Sequence, residues 1–132
     1  MVVDQKIKNV RFIGFKNRDT IPDFYIMADV IVLPSARETW GIVVNEAMCF
    51  SLPVIVSDAV GAGPDMVREG ENGYTYRCGD IKELSEQLKC ISAATGAESV
   101  TMRNSSLNII TEWSARDLST TLIDALVSTK TK

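Results

Sequence analysis

The chain has 132 residues, enough for one domain, and its 45% hydrophobic and 23% charged composition is that of an ordinary globular protein. A net charge of −3 gives no sign of the clustered basic surface of a nucleic-acid binder, and the lack of any apolar run of about 18 residues excludes a transmembrane helix. There is no histidine, which removes Ser-His and Cys-His nucleophile pairs, histidine general bases and most zinc sites together.

In chain order, residues 1–8 read as a charged lead-in without the apolar core of a signal peptide. Residues 9–15, NVRFIGF, predict a strand, and residues 16–19 a polar turn. Thr20 is placed to cap a helix whose first turn tolerates Pro22. Ile21, Phe24, Tyr25 and Ala28 form its apolar face at helical spacing. DVIVL at 29–33 and LPVIVS at 52–57 predict two strands. Their continuous Val/Ile runs suit parallel strands buried on both faces, and residues 42–50 predict the crossover helix such strands require.

Residues 58–63, DAVGAG, predict a turn with Gly61 and Gly63 at positive φ, and Pro64 opens a short helix through Met66 and Val67. Asn72-Gly73 marks a turn before a strand at 73–76. Asp80 with Glu83 predicts a capping box for a helix at 81–93, with Ile81, Leu84, Leu88 and Ile91 inward. A helix follows at about 98–111. Ser114 caps a last one, with Leu118, Leu122, Ile123 and Leu126 inward. The fold class is α/β: a Rossmann-like parallel sheet flanked by helices. Cys49, Cys78 and Cys90 form no CxxC pair, which predicts reduced, buried thiols in a cytoplasmic protein. Met27, Met48, Met66 and the Phe and Tyr residues are assigned to the core.

Ligands of such folds sit beyond the carboxyl ends of the strands, near helix N-termini, so residues 34–41, PSARETWG, are where function is expected. Glu38 lies in this loop. Glu46, eight residues on, falls one turn inside the helix, roughly 6 Å along its axis. Between them are the N–H groups of Trp40, Gly41, Ile42 and Val43, a helix start with its positive dipole end. Gly41 lets a phosphate approach the backbone closely. A diphosphate with a hydroxylated group at each end, as in a nucleotide diphosphate sugar, suits two carboxylates flanking such a cradle. Taken alone, Glu38 and Glu46 read first as solvated surface acids, Trp40 as a packing anchor, and Arg37 as a solvated cation.

The ordered motifs VRFIGF, ADVIVLPS, E-x7-E, EAM, PVI, the glycine turn, ENG and GD resemble the donor-binding domain of the retaining GT-B glycosyltransferases of family 4. The resemblance covers residues 9–91. It implies hexosyl transfer from a nucleotide diphosphate sugar to a glycan, lipid or small-molecule acceptor, without metal or other cofactor. It gives Glu38 the donor-sugar hydroxyls and the catalytic role, and Glu46 the ribose. Trp40, Gly41, Ile42 and Val43 receive the diphosphate and sugar. The family's usual course is a front-face displacement assisted by the leaving phosphate, which needs no enzyme nucleophile.

Two departures from the family pattern stand out. Nothing here corresponds to the family's acceptor-binding domain. The two strands that usually open the donor domain, with their Arg and Lys for the diphosphate, are also not found. The expectation is therefore a partial domain over residues 1–132, with a sheet edge left for a partner domain or a second copy of the chain. Its place would be the cytoplasm, at most peripheral to the inner face of a membrane. The alternatives are a catalytically silent donor-binding module and a structural remnant needing a partner chain. A nucleotide-sugar epimerase ranks below both, because that chemistry calls on acid/base residues not seen here.

Overall fold

A computed structural model of the chain describes residues 9–113. Three short parallel strands, β1 (Ile31–Leu33), β2 (Val54–Ser57) and β3 (Gly73–Tyr76), form one sheet in the order β1-β2-β3. Around it lie α1 (Ile21–Met27), α2 (Ile42–Cys49), α3 (Gly63–Met66), α4 (Ile81–Ala93) and α5 (Gly96–Glu112). The three strands expected at 29–33, 52–57 and 73–76 all form, and α2 is the crossover joining the first two.

Every residue of β2 is fully buried, as a continuous apolar run in a central strand requires. Val54 and Val56 point into one cluster with Val44 and Met48 of α2, Met66 of α3 and Ile109 of α5. Ile55, on the opposite face, is equally enclosed. A second cluster joins Tyr25 of α1 to Ala47 and Leu52. Helix α5 is tied across α2 by hydrogen bonds as well as packing. The buried Ser106 hydroxyl donates to the Leu52 carbonyl at 2.8 Å, and Arg103 donates to the Ala28 carbonyl at 3.1 Å. No helix among the described residues is long and apolar enough to cross a membrane.

Several local expectations are corrected. Residues 10–16 form no strand, and Val10, Phe12, Ile13 and Phe15 are exposed. No strand among the described residues lies beside them to supply the ladder an extended run needs. Thr20 precedes α1 but caps nothing with its side chain; its hydroxyl bonds back to Asn17. Met27 is exposed because α1 buries only Tyr25, whereas Met48 and Met66 are in the core as expected. On α4 the inward edge is Leu84, Gln87 and Ile91, while Ile81 overhangs the helix start at 80% exposure. Gln87 is buried because its amide donates to the Thr75 carbonyl of β3 at 2.9 Å. Only half of the capping box at Asp80 forms: its carboxylate accepts from the Glu83 N–H, but Glu83 accepts from Arg77. A complete box stands at Thr95 and Glu98, and it starts α5 at residue 96. All three cysteines are exposed, which corrects the expectation of buried thiols. Asn72 is fully buried. Its amide accepts from the Arg68 N–H and donates to the Met66 carbonyl, closing the turn from inside. The helix expected after Ser114 lies outside the described residues.

The Ser106 bond gives a direct test of how α5 is held. Ser106→Ala removes the hydroxyl and leaves the buried Leu52 carbonyl without its partner, which costs about 1–3 kcal/mol. Denaturant unfolding should show a lower midpoint with an unchanged slope.

Candidate functional site

The loop after β1 and the loop after β2 meet at the carboxyl edge of the sheet, where parallel α/β folds bind their ligands. Three backbone bonds join them. The Glu38 N–H donates to the Ala59 carbonyl at 3.1 Å, Gly61 donates to Glu38 at 3.0 Å, and Ala62 donates to Trp40 at 2.8 Å. Glu38 and Val60 thus extend the parallel pairing beyond the strands themselves. The Ser57 hydroxyl donates to the Ser35 carbonyl, and the Asp58 carboxylate accepts from the Cys78 N–H at 2.9 Å. All three strand ends are therefore linked to one another.

Gly61 does not adopt positive φ, and neither does Gly63; the expectation for both is corrected. Gly61 is needed for a different reason. A Cβ there would sit 2.0 Å from the Thr39 carbonyl oxygen, so only glycine lets the two loops come this close. Positive φ is found at Gly41, with φ +97°. A Cβ at Gly41 would also press on Leu33 at 3.0 Å and Val60 at 3.1 Å.

Gly41 is the N-cap of α2, and no side chain caps the helix. The N–H groups of Gly41, Ile42 and Val43 have no hydrogen-bond partner among the described residues. Ile42 is exposed and Val43 half-buried. Trp40 is half-buried: its indole N–H donates to Asn45 Oδ1 at 3.0 Å, and its ring lies 5.7 Å from that of Trp113. The side chain is thereby fastened to the first turn of α2. Glu38 is half-buried beside Gly41, whose Cβ position lies 3.4 Å from Glu38 Cγ.

Glu46 is half-buried on α2 and faces α1. Its Oε2 accepts a hydrogen bond from the Tyr25 hydroxyl at 2.9 Å. Both residues line a cleft of about 230 Å³ together with Arg18, Ile21, Pro22, Cys49 and Phe50. Burial, with the Glu46 carboxylate adding to it, pushes the Tyr25 hydroxyl up to about 12. The structure thus brings Glu38, Trp40, Gly41, Ile42 and Val43 together around the start of α2 and sets Glu46 one turn along, against Tyr25. Sequence reasoning assigned Tyr25 only to the apolar face of α1. The one available signal was its chemistry: a tyrosine in an apolar stripe carries a hydroxyl that must find a partner.

The profile of the family described as Glycosyl transferases group 1 matches residues 5–101. Sulfoquinovosyl transferase SQD2 of Arabidopsis thaliana is 36% identical over 83 residues, which is 61% of this chain and 16% of that protein. N-acetyl-alpha-D-glucosaminyl L-malate synthase of Bacillus anthracis is 30% identical over 87 residues, 63% of this chain and 23% of that protein. HepE of Anabaena, solved in complex with UDP-glucose, superposes with a TM-score of 0.76 at 26% identity, covering 92% of this chain and 33% of that one. The chain spans less than a quarter of the length of these two relatives.

Two outcomes are expected from this geometry. Gly61→Ala forces the Thr39 carbonyl away and costs about 1–3 kcal/mol, as overpacking does, measured by equilibrium unfolding. The second concerns alkaline stability. An unfolded tyrosine titrates near pH 10, while Tyr25 in the folded chain is pushed up to about 12. Over that interval the folded state binds more protons than the unfolded one, so stability falls as pH rises through it and is fully present below it. Unfolding curves across the interval should show this loss in the wild type. In Tyr25→Phe that component should be missing.

Proposed function

The chain belongs to the group 1 glycosyl transferases, and from that premise we propose that it carries the donor-binding part of a retaining hexosyltransferase. The donor is a nucleoside diphosphate sugar. The reading is supported by one observation above the rest: an uncapped helix start at Gly41, with three N–H groups free of partners among the described residues and Glu38 beside it. It is supported further by the likeness to HepE of Anabaena, which was solved with UDP-glucose.

In this reading the diphosphate sits at the N-terminus of α2, where N–H donors and the helix dipole favour negative charge. Glu38, held by its own backbone bonds to Ala59 and Gly61, accepts hydrogen bonds from hydroxyls of the sugar. Glu46 accepts from the ribose. Trp40 forms one wall, its ring fixed by Asn45. As the bond between the anomeric carbon and the phosphate oxygen breaks, negative charge grows on the diphosphate. The N–H groups of Gly41, Ile42 and Val43 stabilise that charge more in the transition state than in the bound donor, which is what accelerates the step. The acceptor hydroxyl forms the new bond to the anomeric carbon on the face the phosphate leaves and passes its proton to the departing phosphate oxygen. Configuration is retained. The acceptor is held by a second domain, in the same polypeptide or a partner.

A thermal-shift panel of UDP- and GDP-sugars tests this. A ligand present at about 100 times its Kd should add roughly 2.7 kcal/mol to stability. One class of donor should raise the melting temperature of the wild type, and Glu46→Ala should lose the shift. A panel with no shift on the wild type sinks the reading. An equal shift in both proteins removes Glu46 from the site.

A further inference from the structure

We infer that Tyr25 is a positioning residue for the nucleotide: its hydroxyl holds the Glu46 carboxylate in the orientation that selects a ribose over a sugar lacking the vicinal hydroxyls. The inference rests on the donor-binding reading and adds to it a residue on a different helix. Tyr25 is the single buried side chain of α1 and is 8% exposed. Its ring stacks on Phe50 with centroids 5.4 Å apart and an interplanar angle of 28°. It packs in the cluster with Ala47 and Leu52. A ring confined on these sides has little freedom, so its hydroxyl is a fixed point. That fixed point donates to Glu46 Oε2 at 2.9 Å.

The consequence for Glu46 is geometric. A glutamate side chain on a helix has three rotatable bonds, and orienting it on binding costs free energy that a prior hydrogen bond removes in advance. One oxygen is occupied by Tyr25. The Oε1 atom and the remaining lone pairs of Oε2 stay available, and a carboxylate has room for about four acceptor contacts. A vicinal diol donates two hydrogen bonds to such a group, whereas a deoxygenated ring donates none. The cleft of about 230 Å³ beside this pair is otherwise lined by Arg18, Cys49 and the apolar surface of Ile21, Pro22 and Phe50, so Glu46 is its one carboxylate acceptor. Ribose selection in the cleft therefore depends on the Tyr25–Glu46 pair.

The test is calorimetric titration of the full chain with UDP and GDP and with their 2′,3′-dideoxy counterparts, on wild type, Tyr25→Phe, Glu46→Gln and the double variant. Wild type should prefer the ribonucleotide. Tyr25→Phe, which keeps the ring and its packing, should reduce that preference roughly three- to tenfold, the loss expected of one hydrogen bond, while leaving dideoxynucleotide affinity unchanged. In the Glu46→Gln background the tyrosine change should add nothing. Equal weakening of ribo and dideoxy forms by Tyr25→Phe would mean a merely structural role and overturns the inference. So does an unchanged preference. A wild type that binds neither nucleotide, or binds both sugar forms alike, overturns the donor-site reading itself, a result distinct from the previous two. If Tyr25→Phe fails to fold, Phe50→Leu takes its place. It removes the ring on which Tyr25 stacks and no polar group, so an unchanged preference there again overturns the inference.

Discussion

The close approach of two loops, at 38–41 and 59–62, is the constraint on which the site depends. Three backbone hydrogen bonds join them, and a strand fully buried along its length anchors the second loop. A Cβ on Gly61 would stand 2.0 Å from the Thr39 carbonyl, so the approach is possible only with the side chain absent. Glu38 sits in the middle of this junction, both its N–H and its carbonyl engaged. Its carboxylate is thus carried by an extension of the sheet and not by a free loop. Sites on rigid elements hold the geometry that chemistry needs better than sites on loops do. Here a loop has been made rigid by borrowing a neighbour's backbone.

From that junction the chain turns directly into α2. Gly41 makes the turn in the left-handed region, with φ +97°, where a side chain would be strained and would press on Leu33 and Val60. The same residue therefore ends the loop, opens the helix and leaves its first N–H groups bare. Glu46 on that helix is secured from the other side by Tyr25 of α1. The position of α1 is in turn fixed by the contacts of Tyr25 with Phe50 and Leu52, and by Arg103 of α5 reaching the Ala28 carbonyl just past its end. A helix packed far from the loop thus bears on the Glu46 carboxylate through two steps of packing.

Much of this was legible in the sequence, and several of the parts that were not share a physical cause. Strands β1 and β2 were readable because continuous Val/Ile runs report burial directly, β3 followed the Asn72-Gly73 turn signal, and the helices followed 3.6-residue periodicity and their start signals. The nearness of Glu38 to Gly41 at the start of α2 was readable from spacing, whereas the engagement of Glu46 with Tyr25 was not. Several errors arose where a residue's role depends on a partner distant in the chain. The run at 9–15 has strand composition, but a strand exists only with a neighbour to pair with. Gly61 was read as a turn glycine, although the Thr39 carbonyl above it is what requires glycine there. Gln87 displaced Ile81 from the inner face of α4 because the Thr75 carbonyl of β3 offered it a hydrogen bond. Tyr25 was read by its ring and not by its hydroxyl. In each case the deciding atom belongs to another element, and local pattern carries no record of it.

The treatment of the helix ends shows how stability and binding divide the chain. Helices α4 and α5 are closed by the side chains of Asp80 and Thr95, and the second has a full capping box. Both caps fit the ordinary rule that an oxygen satisfies the first N–H groups. At α2 that rule is set aside, since a glycine in the left-handed region brings no oxygen to those N–H groups. Glycine at an N-cap costs only a few tenths of a kcal/mol relative to Ser, Thr, Asn or Asp, so leaving this end open has little effect on folding. It has a large effect on what can approach. A capping carboxylate or hydroxyl would occupy the donors that a diphosphate oxygen needs, and a carboxylate would repel it. In the proposed reading the uncapped end trades a small loss of helix stability for an anion-binding position, beside which Gly41 packs against Leu33 and Val60.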